Sequence, residues 1–87
     1  MLKIYGSRQC PDCVQCLKEL DDAGVAYEYL DFSDSLINLK EFLAYRDANT
    51  AFVSVRAEGK IGIPCLVDED GTLGLDWSQY VGQAKKA

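Results

Sequence analysis

Histidine is absent from the 87 residues. Without an imidazole the chain cannot give a cysteine its usual general base, so a cysteine-protease arrangement is excluded. A metal enzyme built here would lack its commonest nitrogen ligand. Positive charge is scarce as well: nine Lys and Arg stand against fourteen Asp and Glu, a net charge of −5. With no basic run or stripe to neutralise phosphates, nucleic acid is set aside as a partner. No apolar run approaches the roughly 20 residues that a bilayer requires. Lys3 and Arg8 interrupt the early apolar stretch that a secretory signal would keep continuous. A cytoplasmic protein with no membrane partner is therefore expected. Glycine or serine linkers, internal repeats and low-complexity tracts are missing too, and the expectation is one domain over residues 1–87.

What the chain does have is an ordinary globular composition, 48% hydrophobic, and four cysteines. In a small secreted protein four cysteines read as a disulfide framework. In a reducing compartment, clustered cysteines more often bind metal or carry out redox chemistry.

Leu2 to Tyr5 is a short apolar strand candidate, ended by Gly6-Ser7. Pro11 suits the first turn of a helix, where its missing N–H costs nothing. Cys13, Cys16, Leu17 and Leu20 then recur at helical spacing, and Gly24 supplies a stop. Val25 to Leu30 is rich in strand formers and ends at Asp31, so residues 2–31 read as a βαβ unit with parallel strands. A second helix is expected from Ser35 to Arg46, with Leu36, Leu39, Phe42 and Leu43 on its inner face. Asn49 to Gly62 fits either a short helix or an irregular approach. Ile63 to Val67 is an apolar strand, Asp68 to Gly71 an acidic turn, and Thr72 to Leu75 an antiparallel return. Trp77 to Ala84 closes the chain as a helix, with Lys85 and Lys86 near its C-terminus, where cations suit the dipole. The order implies an α/β fold, a mixed four-stranded sheet with flanking helices. Tyr5, Tyr27, Tyr29, Phe42, Phe52 and Trp77 read as core or half-core aromatics rather than a binding stripe.

Cys10-Pro11-Asp12-Cys13 falls where the first strand hands over to the first helix. Free backbone N–H groups and the helix dipole favour a thiolate at such a place, and thiolate is the attacking species in disulfide exchange. Cys10 comes first and should be the more exposed. Cys13, one turn inside, is placed to attack a mixed disulfide on Cys10 and release the reduced product. Arg8 is the nearest cation, and Asp12 opposes it.

These residues resemble the glutaredoxins, small members of the thioredoxin fold, over essentially the whole chain. The likeness rests on Cys10-Pro11-Asp12-Cys13 after a first strand, Gly24-Val25-x-Tyr27 entering the second, and Gly62-Ile63-Pro64 leading into the third. It implies a thioredoxin-like fold and a thiol–disulfide oxidoreductase with Cys10 and Cys13 as its catalytic dithiol. It also implies a cis Pro64 beside the pair, with Ile63 offering its backbone to an extended substrate. Arg8, Lys60, Ile63, Pro64 and Asp76 become the expected contacts for substrate or glutathione. Expected partners are disulfide-containing proteins or low-molecular-weight thiols, with glutathione as a candidate reductant, no bound cofactor and a monomeric chain. Several positions depart from the family pattern. Asp12 replaces an aromatic residue, Ser7 replaces a lysine, and Leu75 replaces the second glycine of a Gly-Gly pair before Asp76.

Cys16 and Cys65 remain. A small buried hydrophobe is the better reading of Cys16, with an accessory thiol as its alternative. Cys65 follows Pro64, so the resemblance brings it near the active pair as an accessory thiol, able to form a second disulfide or join a metal site. The alternative function is an iron–sulfur or zinc carrier on the same fold, using Cys10 with other thiols. Against zinc, Cys10, Cys13 and Cys16 step along one helix, and i to i+6 spans about 9 Å by rise alone. No metal site is expected. A third reading, a catalytically silent binding module, is opposed by the intact Cys10 and Cys13. Arg46 and Arg56 read as solvated surface charges.

Overall fold

A computed structural model describes residues 1–86, the side chains of residues 83–86 excepted, so Lys85 and Lys86 lie outside the described side chains. The elements in chain order are β1 (Leu2–Gly6), α1 (Pro11–Asp22), β2 (Tyr27–Asp31) and α2 (Leu36–Ala48). A 3-10 turn (Thr50–Phe52) and a short α3 (Val53–Ala57) follow, then β3 (Cys65–Val67), β4 (Leu73–Gly74) and α4 (Ser78–Lys86). The ambiguous stretch from Asn49 to Gly62 is thus helical as far as Ala57 and irregular beyond it, with the Asn49 side chain accepting from the Ala51 amide to start its first turn.

The four strands form one mixed sheet in the order β2-β1-β3-β4. β1 and β2 run parallel, with Leu2 opposite Tyr27 and Gly6 opposite Asp31. The β1–β3 and β3–β4 pairs are antiparallel. The parallel pair needs a crossover, and α1 provides it. Its first residue is Pro11, and the chain leaves it through Gly24 at φ 74°, a left-handed turn suited to glycine.

Strand alternation divides the core into two layers. Leu2 and Ile4 of β1 and Leu66 of β3 meet Cys16 and Leu20 of α1, with Trp77, Tyr80 and Val81 packed alongside. Tyr5, Cys65 and Val67 point the other way and meet Phe42 and Phe52. So α1 and α4 cover one face of the sheet, and α2 with the 3-10 turn covers the other. Trp77 Nε1 donates to Glu19 Oε2 at 3.0 Å, tying the approach to α4 onto α1. Every aromatic named above joins one of the two layers.

One expectation about α2 fails. Leu36 and Leu43 are exposed, at 79% and 40%, and the inner face is Leu39, Phe42 and Tyr45. Leu43 stands about 100° around the helix from Phe42. Leu36 lies in the first turn, ahead of Leu39, where the contact with the sheet layer begins. No helix among the described residues is long and apolar enough to cross a membrane.

Candidate active site

Cys10 is the residue immediately before α1, extended at φ −90° and ψ 119°, with Pro11 as the first helical residue. Its amide donates to the Ser7 carbonyl at 3.0 Å, and its carbonyl accepts from Val14 at 3.1 Å. The backbone on both sides is therefore fixed, while the thiol itself is partly exposed. Cys13 lies in the first turn and is fully buried. Burial first, and then the neighbouring Cys10 thiol, push the Cys13 thiol up to about 12, with the Ser7 backbone opposing them.

Cys10 opens onto a cavity of about 480 Å³. Its walls include Asp12 from the start of α1, Lys60, Ile63 and Pro64 from the approach to β3, and Leu75 after β4. The Ile63–Pro64 peptide is cis. Gly62 precedes it at φ 92°, and a Cβ there would come within 2.7 Å of the Phe52 ring, so only glycine fits this corner.

The expected charged contacts are placed differently. Arg8 does not line this cavity. Its guanidinium reaches Asp31 at 3.3 Å and Asp34 at 3.5 Å, and lies 5.2 Å from the centre of the Tyr29 ring. Asp76 is also directed elsewhere, accepting from the Ser78 amide at 3.0 Å and the Ser78 hydroxyl at 2.6 Å. Those two bonds hold its carboxyl below the usual range and brace the start of α4. Lys60 lines the cavity but pairs with Glu58 at 3.0 Å. Arg46 and Arg56 are not free surface charges. Arg46 donates to the carbonyls of Ile61 and Lys60 at 2.9 and 2.7 Å, and Arg56 donates to the carbonyl of Arg46.

Cys16 is a fully buried residue of the α1 layer, as its helical phase implies. Cys65 is equally buried, but in the opposite layer among Tyr5, Phe42 and Phe52. Its alternation along β3 turns it away from the face that carries α1. Burial pushes both thiols up to about 12, with the Glu19 charge adding to it at Cys16. No cluster of three or more metal-ligating side chains occurs among the described residues.

Asp31 is the functional neighbour that sequence reasoning missed. It is fully buried, and its carboxylate accepts from the amides of Ser33 at 2.7 Å and Arg8 at 3.0 Å. Burial works against the charged form, yet the Ser33 and Arg8 bonds prevail and hold the carboxyl below its ordinary range. The acid thereby fastens the Ser7–Gln9 turn that delivers Cys10. The available signal was an aspartate at the end of a strand paired with the one that feeds the motif.

An uncharacterized protein of Haemophilus influenzae is 37% identical to this chain over 76 residues, covering 87% of this chain and 88% of that protein. The chain belongs to that protein's family. No model of a known protein family matches it, and neither does any solved structure. The family relationship carries no assigned activity, so the chemistry has to come from the site. A partly exposed thiol and a fully buried one, one helical turn apart, form an arrangement suited to interconverting dithiol and disulfide.

Proposed function

We propose that the protein is a glutaredoxin-like thiol–disulfide oxidoreductase of thioredoxin-like fold, reducing protein or mixed disulfides. The observation that carries this reading is the asymmetric pair at the start of α1, with Cys10 open to a cavity and Cys13 buried behind it. Cys10 attacks one sulfur of a substrate R–S–S–R′, forming the Cys10–S–S–R mixed disulfide and releasing R′S⁻. Cys13 then attacks Cys10 Sγ, closing the Cys10–Cys13 disulfide and releasing RS⁻. Two electrons pass from the dithiol to the substrate, and the two leaving thiolates take up the two thiol protons. Ile63 and Pro64, on the cavity wall beside Cys10, are placed to align the incoming disulfide. The chain works in this reading as a monomer in the cytoplasm, where a dithiol is kept reduced between turnovers.

The carrier alternative requires Cys10 to share a metal with other thiols. Cys16 and Cys65 are both fully buried and lie on opposite faces of the sheet, which argues against a common site.

The deciding experiment measures insulin or hydroxyethyl-disulfide reduction, with glutathione and thioredoxin reductase compared as electron sources. Reduction by the native protein and its loss in a folded Cys10→Ser variant are expected. Substantial turnover in that variant would place the nucleophile elsewhere. No turnover with either source would sink the assignment.

A further inference from the structure

The hydroxyl of Tyr29 is shielded from solvent and, among the described residues, has no hydrogen-bond partner. A buried hydroxyl left unbonded is costly, and phenylalanine would fill the same space without it. Its position is specific. A Cβ on Gly6 would meet Cys13 Sγ at 2.7 Å and Tyr29 Oη at 3.2 Å, so the sulfur and the phenol flank the same gap beside the β1 backbone. Tyr29 reaches that gap from β2, where it pairs with Ile4 two residues before Gly6 faces Asp31. Arg8, anchored on Asp31 and Asp34, stands over the Tyr29 ring.

We propose that Tyr29 is a hydrogen-bond donor held for the Cys13 sulfur as it changes from thiol to attacking thiolate. The inference rests on the dithiol reading above. In the reduced protein the Cys13 sulfur is buried one helical turn from Cys10, and the phenol is idle. Once Cys10 is tied up in a mixed disulfide, its sulfur has no proton left to offer the Cys13 sulfur. Negative charge then develops on a sulfur with no access to solvent, where a donor is worth most. The nearby phenol, kept protonated by burial, is a neutral donor suited to that charge. Tyr29 keeps its own proton throughout. The Cys13 proton ends on the departing RS⁻, a new Cys10–Cys13 S–S bond forms, and the Cys10–S–R bond breaks.

Ellman's reagent separates the two steps. Attack by Cys10 releases one nitrothiobenzoate, and attack by Cys13 on the resulting adduct releases the second. Tyr29→Phe should leave the first release unchanged and slow the second roughly tenfold, in keeping with loss of one hydrogen bond to a charged group. Its thermal unfolding midpoint should be unchanged or higher, since a buried unbonded hydroxyl has been removed. An unaltered second release overturns the proposal. So does equal slowing of both releases, which is what a displaced α1 would produce. If the native protein never gives the second release, it is the dithiol reading that fails, and the role of Tyr29 falls with it.

Discussion

Gly6 of β1 and Cys13 of α1 approach so closely that a Cβ on residue 6 would stand 2.7 Å from the Cys13 sulfur. Gly6 is not among the glycines with positive φ, so its glycine requirement is one of space and not of backbone conformation. Gly6→Ala should therefore act as an overpacking substitution, costing about 1–3 kcal/mol as the sulfur and the first turn of α1 give way. Gly82→Ala serves as the contrast. Among the described residues a Cβ there meets nothing within 4 Å, and alanine in a helix should stabilise by about 0.5–1 kcal/mol. Urea unfolding of the two variants measures both values. A Gly6→Ala protein as stable as the native one would show that Cys13 can move aside freely.

Thiol reactivity should be equally uneven. Cys13, Cys16 and Cys65 are fully buried, and burial pushes each thiol up to about 12. Near neutral pH they hold almost no thiolate and offer no access, whereas Cys10 is partly exposed. Limited iodoacetamide treatment of the reduced protein should carboxamidomethylate Cys10 first, as mapped by peptide mass spectrometry. Early modification of Cys16 or Cys65 would mean that one face of the sheet opens readily.

Asp31 gives a prediction about acid. Its folded-state pKa is lowered, so the carboxylate contributes stability that is fully present above its unfolded value of about 4. That contribution is lost as pH falls through the lower folded value. Arg8 is 61% exposed, so its side-chain pair adds little, and the two backbone bonds from Ser33 and Arg8 carry most of the effect. Asp31→Asn should lower stability at pH 7 by about 1–3 kcal/mol, as expected for hydrogen bonds to a charged group. The gap between variant and native protein should shrink below about pH 4. A gap of constant size from pH 7 to pH 3 would contradict a charge-based role.

The sequence disclosed the elements more fully than their environments. Periodicity gave α1, because Cys13, Cys16 and Leu20 mark its inner face and Pro11 and Gly24 bound it. The same reasoning misplaced Leu36 and Leu43, since apolar character alone does not say where along a helix the sheet begins to cover it. Cys10 and Cys13 were legible from their place at a strand-to-helix junction. The resemblance points to Arg8 and Asp76 as contacts, yet Arg8 is drawn to Asp31 and Asp34, and Asp76 to Ser78. Tyr29 was read as a core aromatic, and nothing in a linear sequence says that its hydroxyl ends beside Cys13 without a partner.

The last prediction concerns glutathione as the reductant. Glutathione carries two carboxylates and an ammonium, so a good site for it presents free cations and open backbone. Around Cys10 the cavity walls are largely apolar, with Ile63, Pro64 and Leu75 among them. Lys60 is already paired with Glu58, and Arg8 and Asp76 face other partners. Asp12, beside Cys10 on the same cavity, would repel a carboxylate. Glutathione-dependent turnover is therefore expected to be weak in a Cys13→Ser variant, in which only the monothiol route remains. Adding Leu75→Gly should raise it several-fold by opening the wall. Leu75 also packs against the layer holding Tyr5 and Phe42, so unfolding must be measured alongside. Asp76→Ala should lower the melting temperature through loss of its bonds to Ser78, and change glutathione turnover by less than about twofold, the lower end of what an exposed charge pair is worth. Brisk turnover with Leu75 in place, or a large loss on removing Asp76, would show that the γ-glutamyl group does bind at the end of β4 and that glutathione is the natural electron source.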